Sequence, residues 1–173
     1  MRANKLRRVG VHLFCAVIIA LLPAQNHAFS KERFKPFALR TLNGSPGTLQ
    51  EYLNKVTLVT FFFPTCGYCN GEFPHLQKFY EQYRDQGFSL VAINIMPDQD
   101  SLIPDWLTTH KYTFPVLTGA KLDKLQKDYD LRATPTHYLL DSNGKVILKQ
   151  TGYKQGDEKL LEEDIEKTLN AAP

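Results

Sequence analysis

The stretch Val56–Phe63 reads VTLVTFFF. It is β-branched and aromatic with almost no polar interruption, the pattern of a central strand buried on both faces. Beyond Cys66 the period changes. Phe73, Leu76, Tyr80 and Tyr83 fall at helical spacing, predicting a helix that ends near Gly87. Phe88–Ile95 (FSLVAINI) is a second buried strand, and a helical stretch follows around Leu102–Lys111. A short strand at Phe114–Leu117 and a helix over Lys121–Tyr129 come next. Thr136–Asp141 and Lys145–Thr151 flank Ser142–Asn143–Gly144, a hairpin signal. The last helix begins at about Asp157, a candidate N-cap, with Leu161, Ile165 and Leu169 on one face. Strands alternating with helices and closed by a hairpin predict an α/β fold, a mixed sheet with helices on both faces.

The remaining apolar run, Val9–Leu22, follows a basic segment and precedes Pro23 and a polar stretch ending at Ala28. That order is that of a secretory signal. Fourteen helical residues span about 21 Å, short of the ~30 Å hydrocarbon core. Residues 1–28 are therefore expected to be a signal peptide or an N-terminal membrane anchor, and residues 29–173 one exported domain. A length of 173 residues suits one domain plus an extension. With 43% hydrophobic and 23% charged residues, the composition excludes a disordered tail and a multi-span membrane protein. The net charge of +3 belongs to the leader. Without Arg2, Lys5, Arg7 and Arg8 the body is within one charge of neutral, so the balance gives no reason to expect nucleic acid as a partner. Cys15 lies in the leader and reads as an inert apolar residue, which leaves the body Cys66 and Cys69.

Those two cysteines stand where a buried strand turns into a helix. A thiol at a helix N-terminus meets unpaired backbone N–H groups and the positive end of the dipole, which stabilise the thiolate. Cys66 is expected to be the exposed nucleophile, and Cys69, one turn on, the buried resolving thiol with which it forms a disulfide. Gly67 would keep the approach open, and Tyr68 would offer a ring to a partner. A purely structural disulfide competes with this redox reading, but it would close a very short loop, which stabilises least. A structural metal site needs four ligands, and there is no second CxxC, with His75, His110 and His137 scattered along the chain. Haem attachment needs histidine where Asn70 stands.

The segment from Phe61 to Pro74, FFFPTCGYCNGEFP, resembles the active-site region of exported thioredoxin-like proteins of the TlpA/ResA type, within the redoxin superfamily. The likeness extends over most of residues 34–170. It takes in Phe34–Leu39, Gly44, the short Thr48–Leu53 helix, Phe114–Pro115–Val116, Thr134–Pro135–Thr136, Asp141–Lys145 and Gly152. It implies a thioredoxin-like fold with an inserted α/β segment after the active-site βαβ unit, and protein-disulfide oxidoreductase activity without a cofactor. Pro74 matches the proline that kinks the active-site helix. Thr134–Pro135 matches the cis-proline loop that binds substrate backbone beside the dithiol. The resemblance also implies a role for Glu72, three residues after Cys69, as the carboxylate that takes the proton of Cys69 when it attacks. In related thioredoxins a buried aspartate stands six residues before the first cysteine, where this chain has Thr60.

Two departures bear on specificity. Thr65 replaces the tryptophan usual before the first cysteine, and Gly67–Tyr68 with Thr134 is also similar to periplasmic disulfide isomerases. The expected activity is a disulfide reductase acting on exported cysteine proteins, apocytochrome c among them, recharged by a membrane dithiol donor. A disulfide isomerase or oxidase, a copper chaperone and a thiol peroxidase are the alternatives. A monomer is expected, touching the membrane only through an uncleaved leader. His75 reads as a solvated helical residue, His137 as packed against a neighbouring element, and Trp106, Tyr112 and Phe114 as core. The acids around Asp98–Asp100 read as solvated, and no metal site is expected.

Overall fold

The structure, a computed structural model, describes residues 32–171. The signal or anchor expected over residues 1–28 lies outside them. Seven strands form one mixed sheet in the order β2-β1-β5-β4-β3-β6-β7. These are β1 (Ala38–Thr41), β2 (Pro46–Thr48), β3 (Val56–Phe62), β4 (Phe88–Asn94), β5 (Val116–Thr118), β6 (Thr136–Asp141) and β7 (Val146–Thr151). Five helices accompany them: α1 (Leu49–Tyr52), α2 (Gly67–Tyr83), α3 (Ile103–His110), α4 (Leu122–Tyr129) and α5 (Asp157–Ala171). β3 runs parallel to β4, and β4 to β5, whereas β6 pairs antiparallel with β3 and with β7.

All seven residues of β3 are buried, which is why its sequence shows no alternation. The period of two is present all the same, because it separates two cores. Val56, Leu58 and Phe62 face one core with Phe73, Leu76 and Phe79 of α2, Trp106 of α3, and Leu161 and Ile165 of α5. Val59 and Phe61 face the other, with Phe34, Leu49 of α1, and Leu125 and Tyr129 of α4. On the first side Phe73 touches Phe62, Trp106, Tyr112 and Phe114, with ring centroids 4.9, 5.2, 5.9 and 5.5 Å away. Trp106, Tyr112 and Phe114 are thus core residues, and burial pushes the Tyr112 hydroxyl up to about 12.

The predicted elements are present, and the structure adds β1, β2 and a 3₁₀ turn at Arg84–Gln86. The helix expected from Leu102 is preceded by a 3₁₀ segment, Pro97–Leu102, and α3 itself covers Ile103–His110, with proline in its first turn. The acids there are only in part solvated: Asp100 accepts the Asn94 side-chain amide at 2.7 Å and the Gly119 N–H at 3.4 Å. Asp157 is the first residue of α5, and its carboxylate accepts the Lys154 N–H at 2.9 Å. The β6–β7 hairpin turns at Gly144, whose φ of 72° is left-handed, while Asp141 Oδ1 accepts from the Asn143 and Lys145 amides.

Candidate active site

β3 delivers the chain at the end of the sheet, and Phe63–Pro64–Thr65 turn it into α2. Cys66 caps that helix in extended conformation, and its Sγ accepts the Cys69 N–H at 3.2 Å. A sulfur in the capping position receives the donor that the first helical turn cannot satisfy internally. Cys66 and Cys69 are bridged, with the sulfurs 2.04 Å apart. Cys69 is wholly buried. Cys66 is only 4% exposed, less open than the sequence predicts, because the Thr134 hydroxyl closes over it at 3.6 Å from its Sγ. Space beside Gly67 is open, and Tyr68 stands 71% exposed next to the bridge.

Two further contacts hold the loop. Asn70 donates from Nδ2 to the Pro64 carbonyl at 2.9 Å and accepts the Trp106 indole N–H at 2.9 Å. It therefore ties the approach to Cys66, the first turn of α2 and helix α3 together. Along the chain Asn70 shows only that the histidine of a haem-attachment motif is missing, since the partners of a helical asparagine are set by the fold. Thr65, at the position of the missing tryptophan, is exposed and bonded to Gln99 through its hydroxyl and its N–H. Pro74 lies inside α2, depriving the Asn70 carbonyl of its helical donor.

Thr134–Pro135 is a cis peptide, and it faces Cys66 across the end of the sheet. The Pro135 carbonyl accepts the Gly152 N–H at 2.7 Å, so the end of β7 holds this loop. Gly152 has a φ of 80°, a conformation that favours glycine.

Glu72 is fully buried, and its Oε2 lies 2.7 Å from His137 Nε2. His137, read from the sequence as a packed strand residue, is also fully buried, opposite Thr60 in the β3–β6 ladder. Tyr153 covers this end of α2, its ring 3.4 Å from where a Cβ on Gly71 would stand. Its hydroxyl donates to Glu158 at 3.0 Å. Burial, the Glu158 carboxylate and the charge of Glu72 push the Tyr153 hydroxyl up to about 12. His75 is half-buried. Among the described residues no three His, Cys, Asp or Glu side chains gather as a metal ion would require.

A bridged pair at a helix start, faced by a cis-proline loop, can exchange two electrons with a second disulfide. The protein is a thioredoxin-like thiol–disulfide oxidoreductase. Known proteins agree. The sporulation thiol-disulfide oxidoreductase A of Bacillus subtilis is 26% identical over 150 residues, 84% of this chain and 90% of that protein. The thiol-disulfide oxidoreductase ResA of Halalkalibacterium halodurans is 25% identical over 166 residues, 96% of this chain and 92% of its own. A solved structure from Chlorobium tepidum, described as a thiol:disulfide interchange protein DsbE, superposes with a TM-score of 0.73 at 27% identity, covering 80% of this chain and 96% of that one. The chain belongs to the Redoxin family, whose model matches residues 29–168, and it is similar to the ResA-type members of that family.

Proposed function

We propose that this protein is an exported disulfide reductase in which Cys66 attacks and Cys69 resolves. The Cys66 thiolate attacks a substrate disulfide, forming a mixed disulfide and releasing one substrate thiolate. Cys69 loses its proton, attacks Cys66 Sγ, closes the bridge and releases the second substrate thiolate. Two electrons pass to the substrate. The observation that carries this reading is the setting of the pair: Cys66 caps α2 with its sulfur on the Cys69 N–H, and Cys69 is sealed beneath it. Buried Glu72, one turn beyond Cys69, supports the reductive direction, because the resolving thiol has a carboxylate on its own helix face. Tyr68, Gly67, Thr134 and Pro135 surround the sulfur from outside and form the substrate-binding rim. By likeness to its relatives, the substrates are exported cysteine proteins, with apocytochrome c a candidate, and the electrons to reopen the bridge come from a membrane dithiol.

Equilibration of the body with glutathione, read by thiol trapping, tests the direction. A reductase requires a potential well below about −200 mV, whereas one near −130 mV would make the protein an oxidase. Cys69→Ser should accumulate mixed disulfides through Cys66. A variant that accumulates none would refute the assignment of attacking and resolving sulfurs.

A further inference from the structure

Glu72 and His137 are 65 residues apart in the chain, come from α2 and β6, and are wholly buried with 2.7 Å between Oε2 and Nε2. A single charged group in such a place is strongly disfavoured. A carboxyl and an imidazole holding one proton between them are neutral as a unit, whichever atom carries it. The pair lies under the dithiol. Residues three apart on a helix have Cβ atoms about 5–6 Å apart, which sets Glu72 beside Cys69. Directly paired residues of an antiparallel ladder share one face of the sheet, which sets Thr60 beside His137. Glu72 Oε1, His137 Nδ1 and Thr60 Oγ1 are buried without a hydrogen-bond partner. Buried polar atoms are ordinarily paired, so these three leave hydrogen-bonding capacity beside the pair unmet.

We propose that the carboxylate expected to take the Cys69 proton does not act alone: His137 positions Glu72 and shares the added charge, so that the two act as one proton-holding pair beneath the bridge. This rests on the redox reading above. With the mixed disulfide formed, Cys69 is a thiol and the pair holds one proton. Transfer of the Cys69 proton to Glu72 leaves a thiolate and a pair with two protons and one positive charge. The thiolate then attacks Cys66 Sγ, the Cys66–Cys69 bond forms, the bond to the substrate breaks, and the leaving thiolate carries off the electron pair. The second proton passes out to that thiolate or to water. His137 adds what a carboxylate on its own lacks, a second site for the charge. The other ionisable groups on this side are Tyr153, after β7, Asp157 and Glu158 of α5, and His75 of α2; β3 contributes only the neutral Thr60. Glu158 is already bonded to Tyr153 and the Gly156 N–H, which leaves His137 as the direct partner of Glu72.

The reduced protein treated with an aryl disulfide, dithiobis(nitrobenzoate), separates the steps. Attack by Cys66 releases one coloured thiolate, and attack by Cys69 releases the second. Glu72→Gln should slow the second release relative to the first by about a hundredfold, the low end for a positioned acid–base group. His137→Gln keeps a side-chain N–H donor but cannot take a proton. It should slow the second release by about a tenth of that factor and flatten its pH profile. The double variant should be no slower than Glu72→Gln alone. A His137→Gln protein with the wild-type ratio and pH profile overturns the proposal. Nitrogen-15 spectra of the unaltered protein give a test that does not depend on variants folding. The His137 ring shifts should move between the bridged and reduced forms across the range in which histidine and cysteine titrate, and identical shifts overturn the proposal. If the wild type shows no first release at all, the redox reading itself fails.

Discussion

Replacing Asn70 with alanine should loosen the active-site loop without touching either sulfur. The side chain bridges two groups with little access to water, the Trp106 indole N–H and the Pro64 carbonyl, each at 2.9 Å. Trp106 is 7% exposed and Pro64 is buried, so water cannot readily replace the lost partner. Leaving a buried polar group unpaired costs about 1–3 kcal/mol, and two such groups place the loss at about 2–6 kcal/mol. With a urea slope of roughly 2 kcal/mol per molar, the unfolding midpoint should fall by about 1–3 M. Trp106→Phe keeps much of the packing against Phe62, Phe73 and Tyr112 but removes the donor. In a double-mutant cycle with Asn70→Ala the coupling should be about 1 kcal/mol. Far-ultraviolet circular dichroism is the suitable probe, since Trp106 is the chain's single tryptophan and the substitution removes it. Additivity within about 0.3 kcal/mol would refute the reasoning, because the two side chains would then share no energetic bond.

Two other outcomes are expected. Phe73→Ala removes a fully buried ring with four aromatic neighbours and should cost about 3–5 kcal/mol in urea unfolding; a loss under about 1 kcal/mol would mean the cluster collapses around the gap. Glu158 is held below the ordinary carboxylate range by its own backbone N–H, then by the Gly156 N–H and the Tyr153 hydroxyl, against the opposing effect of burial. A carboxyl depressed in the folded state contributes stability above its unfolded value and loses it as pH falls through the folded one. Glu158→Gln should therefore be less stable than the wild type at neutral pH and flatter on acidification, measured as urea midpoint against pH. Parallel curves would contradict the assignment.

The elements were legible because each rests on local rules. β3 and β4 show as apolar runs because both faces of a central parallel strand are covered, and α2 and α5 as stripes because one face is. The 3₁₀ segment Pro97–Leu102 was not legible, since what stabilises it includes the Asn94–Asp100 bond and Asp100's hold on Gly119, well beyond the segment. Glu72 could be singled out only through the family's motif. Nothing in its neighbourhood along the chain told whether it faced water, and its burial depends on β6 and on Tyr153 closing over α2. His137 was the hardest to read. A histidine in an apolar strand looks the same whether it packs against carbon or meets a carboxylate.

The pair of thiols follows from the chain alone. Cys66 and Cys69 are three residues apart at a strand-to-helix turn, so one helical turn suffices to bring their sulfurs together and to set a backbone N–H on Cys66. Everything that acts on those sulfurs from another element follows instead from the packing of the fold. Thr134 reaches Cys66 across 68 residues, Trp106 reaches Asn70 across 36, and His137 reaches Glu72 across 65. These contacts depend on strand register. Thr60 opposes His137 in the β3–β6 ladder, and a slip of one residue would turn His137 to the other core, away from Glu72. Local spacing can place two atoms on one turn of helix, but the meeting of a helix carboxylate with a strand imidazole is set by the sheet that positions both.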